Sequence, residues 1–295
     1  MNEDVSLAAP VNFTARETIQ LGQKVGALSV DLRRGDGLGG ERSMETIECR
    51  IHDARSRPGD FTLDTAGFTL LRRPSAARDW FDNDEVMSVY YEECKQLARE
   101  LTGATHVFTF DHLIREHNRQ TGGGGLFKKN ESTTGERGGG YGSFVHMDFS
   151  DHSTSSEYLA LYGLSEPQDA SRVIVLDFWR PLFDTAEREP LAICDARTVT
   201  AEDLQETLLY GYGHKGYSWH DIGISMYNVG YSPRHEWYYY SNMMPDEVLV
   251  MKLYDSLGVI GRACPHSSFT NPSAPATAPS RCSVELRVHC YIGAH

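Results

Sequence analysis

Features typical of membrane, secreted and nucleic-acid-binding proteins are missing from this sequence. No apolar run approaches the roughly 18 residues that a membrane-spanning helix needs, and residues 1–14 are too polar and acidic for a signal peptide. We therefore expect a cytoplasmic protein with no membrane partner. No long basic run offsets the net charge of −13, which argues against a nucleic-acid partner because its phosphates would repel such a surface.

Paired cysteine motifs are also missing. The six cysteines show no CxxC spacing, so neither a zinc ribbon nor a disulfide framework is indicated, and we expect buried free thiols.

The composition is that of an ordinary globular protein, with 295 residues, 40% hydrophobic and 23% charged. Spacings of three and four predict a helix over residues 83–101, and a capping box at Thr200 and Asp203 predicts a short second helix that ends at Gly211. Many short strands with two helical inserts are typical of a jelly-roll or barrel, a mostly β fold with helical additions. Strands are predicted at residues 25–32, 61–71, 106–110, 173–179, 190–194, 235–240, 248–253 and 281–288.

Glycine is concentrated in one segment, residues 121–142, which holds nine glycines in 22 residues. Each glycine would lose more conformational entropy in a regular element than other residues do, so the segment is predicted to be a loop. Two hypotheses remain open for it: a mobile lid over a functional site, or a disordered surface insertion.

The most informative motif is His146-Met147-Asp148. Alternate side chains of a strand point to the same face, so His146 and Asp148 project together, roughly 6–7 Å apart. With a second histidine from a distant segment, they would form the facial triad of non-haem iron(II) oxygenases, which leaves three coordination positions open. A His-x-Asp motif also arises by chance on surface strands, so the prediction depends on the third ligand.

The C-terminal residues supply a candidate for that ligand and for an anion anchor. His266 is followed fifteen residues later by Arg281, and the period of two along the strand places Ser283, Glu285 and Arg287 on the face of that arginine. A 2-keto dicarboxylate that chelates iron extends its far carboxylate several ångströms away, where a planar guanidinium can grip it with two hydrogen bonds. Without His266, a surface ion pair would be the better interpretation of Arg281.

Four runs of the sequence carry a family resemblance: residues 177–182 (DFWRPL), 190–197 (PLAICDAR), 235–239 (HEWYY) and 255–256 (DS). They resemble the oxygenases related to cephalosporin 7α-hydroxylase, a group that includes gibberellin desaturase-like proteins and a fungal endoperoxide-forming meroterpenoid oxygenase. The resemblance covers nearly the whole chain, with two departures: Asp177 where a neutral residue is expected, and a longer glycine-rich insertion.

The resemblance implies a double-stranded β-helix (jelly-roll, cupin-like) core at residues 106–295, with residues 1–105 as an α/β extension packed on it. It also implies Fe(II) as cofactor, 2-oxoglutarate and O2 as co-substrates, and hydroxylation, desaturation or endoperoxidation of a specialised metabolite. His146, Asp148 and His266 match the iron ligands of the family, and Arg281 matches its co-substrate anchor.

Other residues compete for these roles or complete the site. His235 and His289 are weaker candidates for the third ligand, because neither has an arginine at a suitable distance after it. The predicted substrate pocket comprises Phe144, His152, Trp179, Trp237 and Tyr239.

Two other classes of function remain open. A zinc hydrolase could use the same three ligands, although it would have no evident use for Arg281 and Ser283. A metal-free jelly-roll module could simply bind a ligand. The expected partners are a small, largely apolar natural product, such as a terpenoid or polyketide, and a second copy of the chain in a homodimer.

Overall fold

Two β-sheets dominate the structure, a computed structural model that describes residues 5–25, 28–31, 44–116, 119–125, 142–153, 160, 165–210, 224–258 and 263–293. In chain order the strands are β1 (Ser6–Thr14), β2 (Leu28–Asp31), β3 (Met44–Asp53), β4 (Phe68–Arg72), β5 (His106–Glu116), β6 (Arg119–Gly125), β7 (His146–Met147), β8 (Ala170–Pro181), β9 (Leu191–Cys194), β10 (Leu204–Tyr210), β11 (Ile224–Val229), β12 (Trp237–Tyr239), β13 (Glu247–Asp255), β14 (His266–Ser268) and β15 (Ser283–Gly293).

Short helices and helical turns connect these strands. The α-helices are α1 (Arg16–Val25), α2 (Asn83–Glu85) and α3 (Tyr91–Thr102); Val86–Tyr90 form a π-helical turn between the last two. Single 3-10 turns occur at Ala54–Ser56, Ala196–Thr198 and Ala201–Asp203. Of the helices in the described ranges, none combines the length and the hydropathy that crossing a membrane requires.

The larger sheet has the strand order β1-β3-β12-β9-β14-β7-β11-β10-β2, and the smaller sheet has the order β4-β13-β8-β15-β5-β6. Most neighbouring strands are antiparallel. The larger sheet curls until β1 reaches β7, since the Val145 N–H donates to the Asn12 carbonyl at 2.8 Å. This two-sheet arrangement confirms the predicted jelly-roll core.

Three buried clusters stabilise the arrangement. One lies between the sheets and includes Ile193 and Tyr238 of the larger sheet with Trp179 and Met251 of the smaller. A second fills the curl of the larger sheet, and a third lies between the smaller sheet and α3. Side chains along a strand point alternately to its two faces. The strands that meet between the sheets therefore also contribute side chains to the two clusters on the outer faces. The site described below lies on the inner faces.

The structure confirms the predicted helix, which spans residues 83–102. Asp82 caps it, because its carboxylate accepts hydrogen bonds from the main-chain N–H groups of Asp84 and Glu85. It ends at Gly103, whose φ of +70° is a left-handed conformation that glycine adopts without strain. The buried side chains of α3, among them Cys94 and Leu97, pack on the smaller sheet.

The prediction of a second helix, near residues 200–211, is wrong. The capping box at Thr200 and Asp203 is present, but it closes only the turn Ala201–Asp203, and residues 204–210 are strand β10. Burial alternates along this strand, with Gln205, Thr207 and Leu209 buried. Two of these three side chains are polar, so hydropathy alone could not show the period of two.

The prediction of a loop over residues 121–142 is also wrong at its start. Residues 122–125 pair with residues 111–114 of β5, so the glycine run continues the edge of the smaller sheet. Pairing with the hydrogen-bonding groups of β5 outweighs the entropy that the glycines lose. The lid hypothesis and its alternative concern mainly residues 126–141, which lie outside the described residues.

The remaining elements agree with the sequence in outline. The strands predicted near residues 28, 106, 173, 190, 237, 248 and 283 are confirmed. Of the segment predicted as strand at residues 61–71, only residues 68–71 are strand, in β4, and residues 61–67 form turns before it. All six cysteines are described, and all are free thiols, five of them buried.

Candidate metal and co-substrate site

Two short neighbouring strands bring His146 and His266 together. Strands β7 and β14 are antiparallel, and His146 is directly opposite His266 in their register. Side chains directly opposite each other in such a pair lie on the same face, with their Cβ atoms about 4.5–5.5 Å apart. The two imidazole rings are accordingly 4.6 Å apart between centroids. Strand pairing therefore places two histidines side by side from distant parts of the chain.

Asp148 completes the group from the end of β7. Its Oδ1 lies 3.4 Å from Nε2 of His146, and one ligand atom from each of the three side chains lies within 4.8 Å of the others. An ion that binds at about 2.0–2.2 Å requires ligand atoms no more than about 4.4 Å apart, so the three side chains would close slightly around a single ion.

Main-chain carbonyls fix the orientation of both imidazoles. Nδ1 of His146 is 2.8 Å from the Phe144 carbonyl, and Nδ1 of His266 is 3.0 Å from the Cys264 carbonyl. A carbonyl oxygen can only accept, so each Nδ1 carries the proton and donates it. The Nε2 atoms are left to present lone pairs toward Asp148, which is the tautomer that metal-binding histidines use.

The charge states of the group also suit a cation. Burial, reinforced by repulsion from His146, lowers the pKa of His266 to about 4, so this imidazole is neutral at neutral pH. Burial alone would raise the pKa of Asp148, but the Arg287 guanidinium together with His146 and His266 outweighs burial and holds that pKa well below its usual range. The group thus offers neutral imidazole and carboxylate, the forms that metals bind.

Arg281 lies next to this group and is not a surface residue, since it is only 4% exposed. Its Nη1 donates to the Glu189 carbonyl at 2.5 Å and contacts the Ser268 hydroxyl at 3.4 Å. Ser268 and His266 are alternate residues of β14, so they share a face about 6–7 Å apart. The guanidinium therefore contacts a residue on the strand face that carries His266.

Two further predicted residues accompany Arg281. Its guanidinium lies over the ring of Trp179, 5.2 Å from the centroid, so this tryptophan supports the arginine from the neighbouring strand. Ser283 is buried at the start of β15, two residues beyond Arg281.

The competing histidines lie elsewhere. His235 is buried beside Asp203, with its Nε2 3.4 Å from an oxygen of that carboxylate. His289 is buried against Phe149, with ring centroids 5.4 Å apart. His152 has a side chain that is 77% exposed and bonds Glu206 at 2.6 Å. The structure does not bring any of these three to the ligand atoms of His146 and His266.

The predicted pocket aromatics separate into two groups. The ring of Phe144 lies 4.8 Å from that of His146, so it adjoins the site. Trp237 and Tyr239 belong to the cluster inside the curl of the larger sheet, together with Met147, on the face away from His146. The aromatic of β12 on the inner face is Tyr238, because it is in register with Ile193, which is itself opposite His266.

One set of contacts was not assigned from the sequence. Nε of Arg287 donates to Oδ2 of Asp148 at 3.0 Å, and Arg287 also bonds Glu285, which Arg115 holds from β5. The period of two along β15 already placed Glu285 and Arg287 on the face of Arg281. The contact with Asp148 could not be predicted, because it joins the two sheets across 139 positions of sequence.

Asp177 also lies on this inner face, opposite Arg287 in the strand register. Burial, reinforced by repulsion from Glu285, raises the pKa of Asp177 well above its ordinary value. The side chain therefore favours its neutral form, which accounts for an acidic residue at a position where a neutral one is expected.

Comparison with known proteins shows relatives over nearly the full length. A model of an oxidoreductase/YMDC permease-like domain matches residues 30–291. The hydroxylase/desaturase efuI of Hormonema carpetanum is 33% identical over 293 residues, which cover 95% of this chain and 96% of that protein. The Fe(II)/2-oxoglutarate-dependent dioxygenase nvfI of Aspergillus novofumigatus is 29% identical over 81% of each chain.

A solved structure shares the fold. The iron and alpha-ketoglutarate-dependent endoperoxidase NvfI, in a form described as having a different conformation, superposes with a TM-score of 0.74. The match covers all of both chains at 24% sequence identity, so it shows a common fold.

Proposed function

Because the chain belongs to the oxidoreductase family that includes these fungal hydroxylase/desaturases and dioxygenases, we propose that it is an iron(II)- and 2-oxoglutarate-dependent oxygenase. The observation that carries the proposal is the convergence of His146, Asp148 and His266, together with the buried guanidinium of Arg281, which contacts Ser268 on the strand face of His266.

The donor set suits iron(II). Two neutral imidazoles and one carboxylate are the ligands of the facial triad, which leaves three positions open. Iron held there would supply the activation of O2. The protein contributes the fixed orientation of both imidazoles through the Phe144 and Cys264 carbonyls, so the ligands need little rearrangement on metal binding.

Arg281 is proposed to hold the far carboxylate of 2-oxoglutarate. The Glu189 carbonyl, the Ser268 hydroxyl and the Trp179 ring contact its guanidinium and hold it in place. Burial strengthens its attraction for an anion, since water screens the charge less. Ser283, two residues on, is proposed to add a hydroxyl donor to the same carboxylate.

The substrate is proposed to be a small, largely apolar specialised metabolite such as a terpenoid or polyketide. Phe144 supports this, because its ring adjoins His146 and packs against Leu209 and Met226, so an apolar surface borders the metal site. The names of the relatives cover hydroxylation, desaturation and endoperoxidation. Which of these occurs depends on where the substrate carbon lies relative to the metal.

The organisation of the chain is part of the proposal. We take residues 106–295 as the catalytic core and residues 1–105 as an extension packed on it, in line with the position of β1 and β3 at one edge of the larger sheet. A homodimer stays a prediction.

A turnover assay with candidate metabolites tests the proposed function. We expect consumption of 2-oxoglutarate and formation of succinate, coupled to a product that has gained one oxygen atom, lost two hydrogen atoms or gained two oxygen atoms. The matched control is Asp148→Ala, which removes the only carboxylate of the triad. A product that has gained the elements of water, formed without 2-oxoglutarate, would instead indicate the zinc hydrolase.

A further inference from the structure

The carboxylate of Asp148 has two oxygens in different surroundings. Oδ1 faces Nε2 of His146 at 3.4 Å, whereas Oδ2 is 3.0 Å from both Nε and Nη2 of Arg287. Two nitrogens of one guanidinium therefore converge on a single carboxylate oxygen. The other oxygen is directed toward the imidazoles.

Two charged side chains, Glu285 and Arg115, extend from Arg287 in a row and hold it in this position. Its Nη2 also donates to Oε1 of Glu285 at 3.0 Å, and Glu285 accepts two hydrogen bonds from Arg115, at 2.8 and 2.9 Å. The side chains of these residues are only 13–16% exposed, so water screens the row weakly. Because Arg287 is bonded to both Asp148 and Glu285, the Asp148 carboxylate cannot rotate without breaking its bonds to Arg287.

We infer that Arg287 is a positioning residue that keeps Oδ2 of Asp148 away from the metal, so that Asp148 binds with Oδ1 alone. The inference rests on the proposed function. A carboxylate can bind a cation through one or both oxygens, and a two-oxygen mode would occupy one of the positions that the facial triad leaves open. Because Oδ2 stays bonded to Arg287, three coordination positions remain open for a chelating co-substrate and O2.

The same contacts separate the roles of the two arginines on this face. Arg281 and Arg287 both project inward from the C-terminal segment, but Arg287 already holds Asp148 and Glu285. Arg281 lies beside Ser268 and Glu189 at the other end of the inner face. Arg281 is therefore the arginine that we assign to the far carboxylate of the co-substrate.

Arg287→Lys tests the inference, because it keeps the positive charge and removes the planar pair of donors. Arg172→Lys is the matched control: Arg172 also holds an aspartate through two nitrogens, at 2.9 and 2.6 Å from the oxygens of Asp255, away from the triad. The probe is Co(II), titrated into the metal-free protein and followed by its visible d–d bands. A thermal melt of each variant shows whether it folds.

We expect Arg287→Lys to bind Co(II) about tenfold more weakly, the lower end of the range for residues that orient metal ligands, since the charge is kept. Its d–d bands should change, because Asp148 can then bind through both oxygens. Arg172→Lys should match the unaltered protein in both respects. Unchanged affinity and unchanged bands in a folded Arg287→Lys protein would overturn the inference.

Two further variants keep the outcomes distinguishable. If Arg287→Lys does not fold, Glu285→Ala removes the acceptor that holds Nη2 of Arg287, and it should still shift the d–d bands; unchanged bands would overturn the inference. His266→Ala reports on the proposed function itself. If this variant binds Co(II) as well as the unaltered protein does, the triad is not the metal site and both proposals fail, whereas failure of Arg287→Lys alone leaves the proposed function intact.

Discussion

Replacing His266 by alanine should abolish turnover and sharply weaken metal binding. His266 faces His146 across the β7–β14 pair and is kept neutral by burial, so its loss removes one of three pre-oriented ligands. Structural zinc sites gain about 10–16 kcal/mol from four ligands, which is roughly 3 kcal/mol per ligand and more than a hundredfold in affinity. Anaerobic iron(II) titration and the turnover assay measure the two effects.

His235→Ala is the control for that experiment. His235 is also buried, but it lies beside Asp203 rather than the triad, so the variant should keep its metal. A thermal melt accompanies both variants, since each removes a buried ring. If His235→Ala lost iron while His266→Ala retained it, the assignment of the third ligand would be wrong, and so would the position of the co-substrate pocket.

Replacing Arg281 by alanine should raise the concentration of 2-oxoglutarate required for turnover by about 10- to 150-fold. Loss of a charge-assisted contact to a carboxylate costs on the order of 1.5–3 kcal/mol, which corresponds to a factor of this size. Iron binding should survive, because Arg281 contacts Ser268 and Glu189 rather than a ligand side chain. Turnover over a range of 2-oxoglutarate concentrations measures the change.

Arg180→Ala is the matched control for Arg281→Ala. Arg180 is 3% exposed and its guanidinium lies over the ring of Tyr90 at 5.0 Å, so it resembles Arg281 in burial and in stacking on an aromatic ring. It projects from the opposite face of β8, where it donates to the Arg73 carbonyl. A normal 2-oxoglutarate requirement in Arg281→Ala, with a raised one in Arg180→Ala, would contradict the assignment.

The sequence allowed the local geometry of the site to be predicted. The period of two along a strand placed His146 with Asp148, and Arg281 with Glu285 and Arg287, and both placements depend only on near neighbours in the chain. The helix at residues 83–102 was equally accessible, because its cap, its spacing and its terminal glycine all lie within the segment.

What could not be predicted depends on contacts between distant segments. Strand β10 buries Gln205 and Thr207, and Asn228 of β11 donates to the Thr207 hydroxyl at 2.5 Å. That partner makes a polar strand face stable inside the protein, and nothing within residues 204–210 indicates it. The same limit applies to Trp237 and Tyr239, which were predicted to line the substrate pocket, because the side of the sheet that they face is set by pairing with β9.

The most direct test of the central claim is an anaerobic titration of the metal-free protein with iron(II) and 2-oxoglutarate, followed by visible absorption. If His146, Asp148 and His266 hold iron and Arg281 aligns the co-substrate to chelate it, a weak visible charge-transfer band should develop only when both are present. His266→Ala should not develop the band. A zinc hydrolase or a metal-free binding module would show no band in the unaltered protein, and that result would contradict the account.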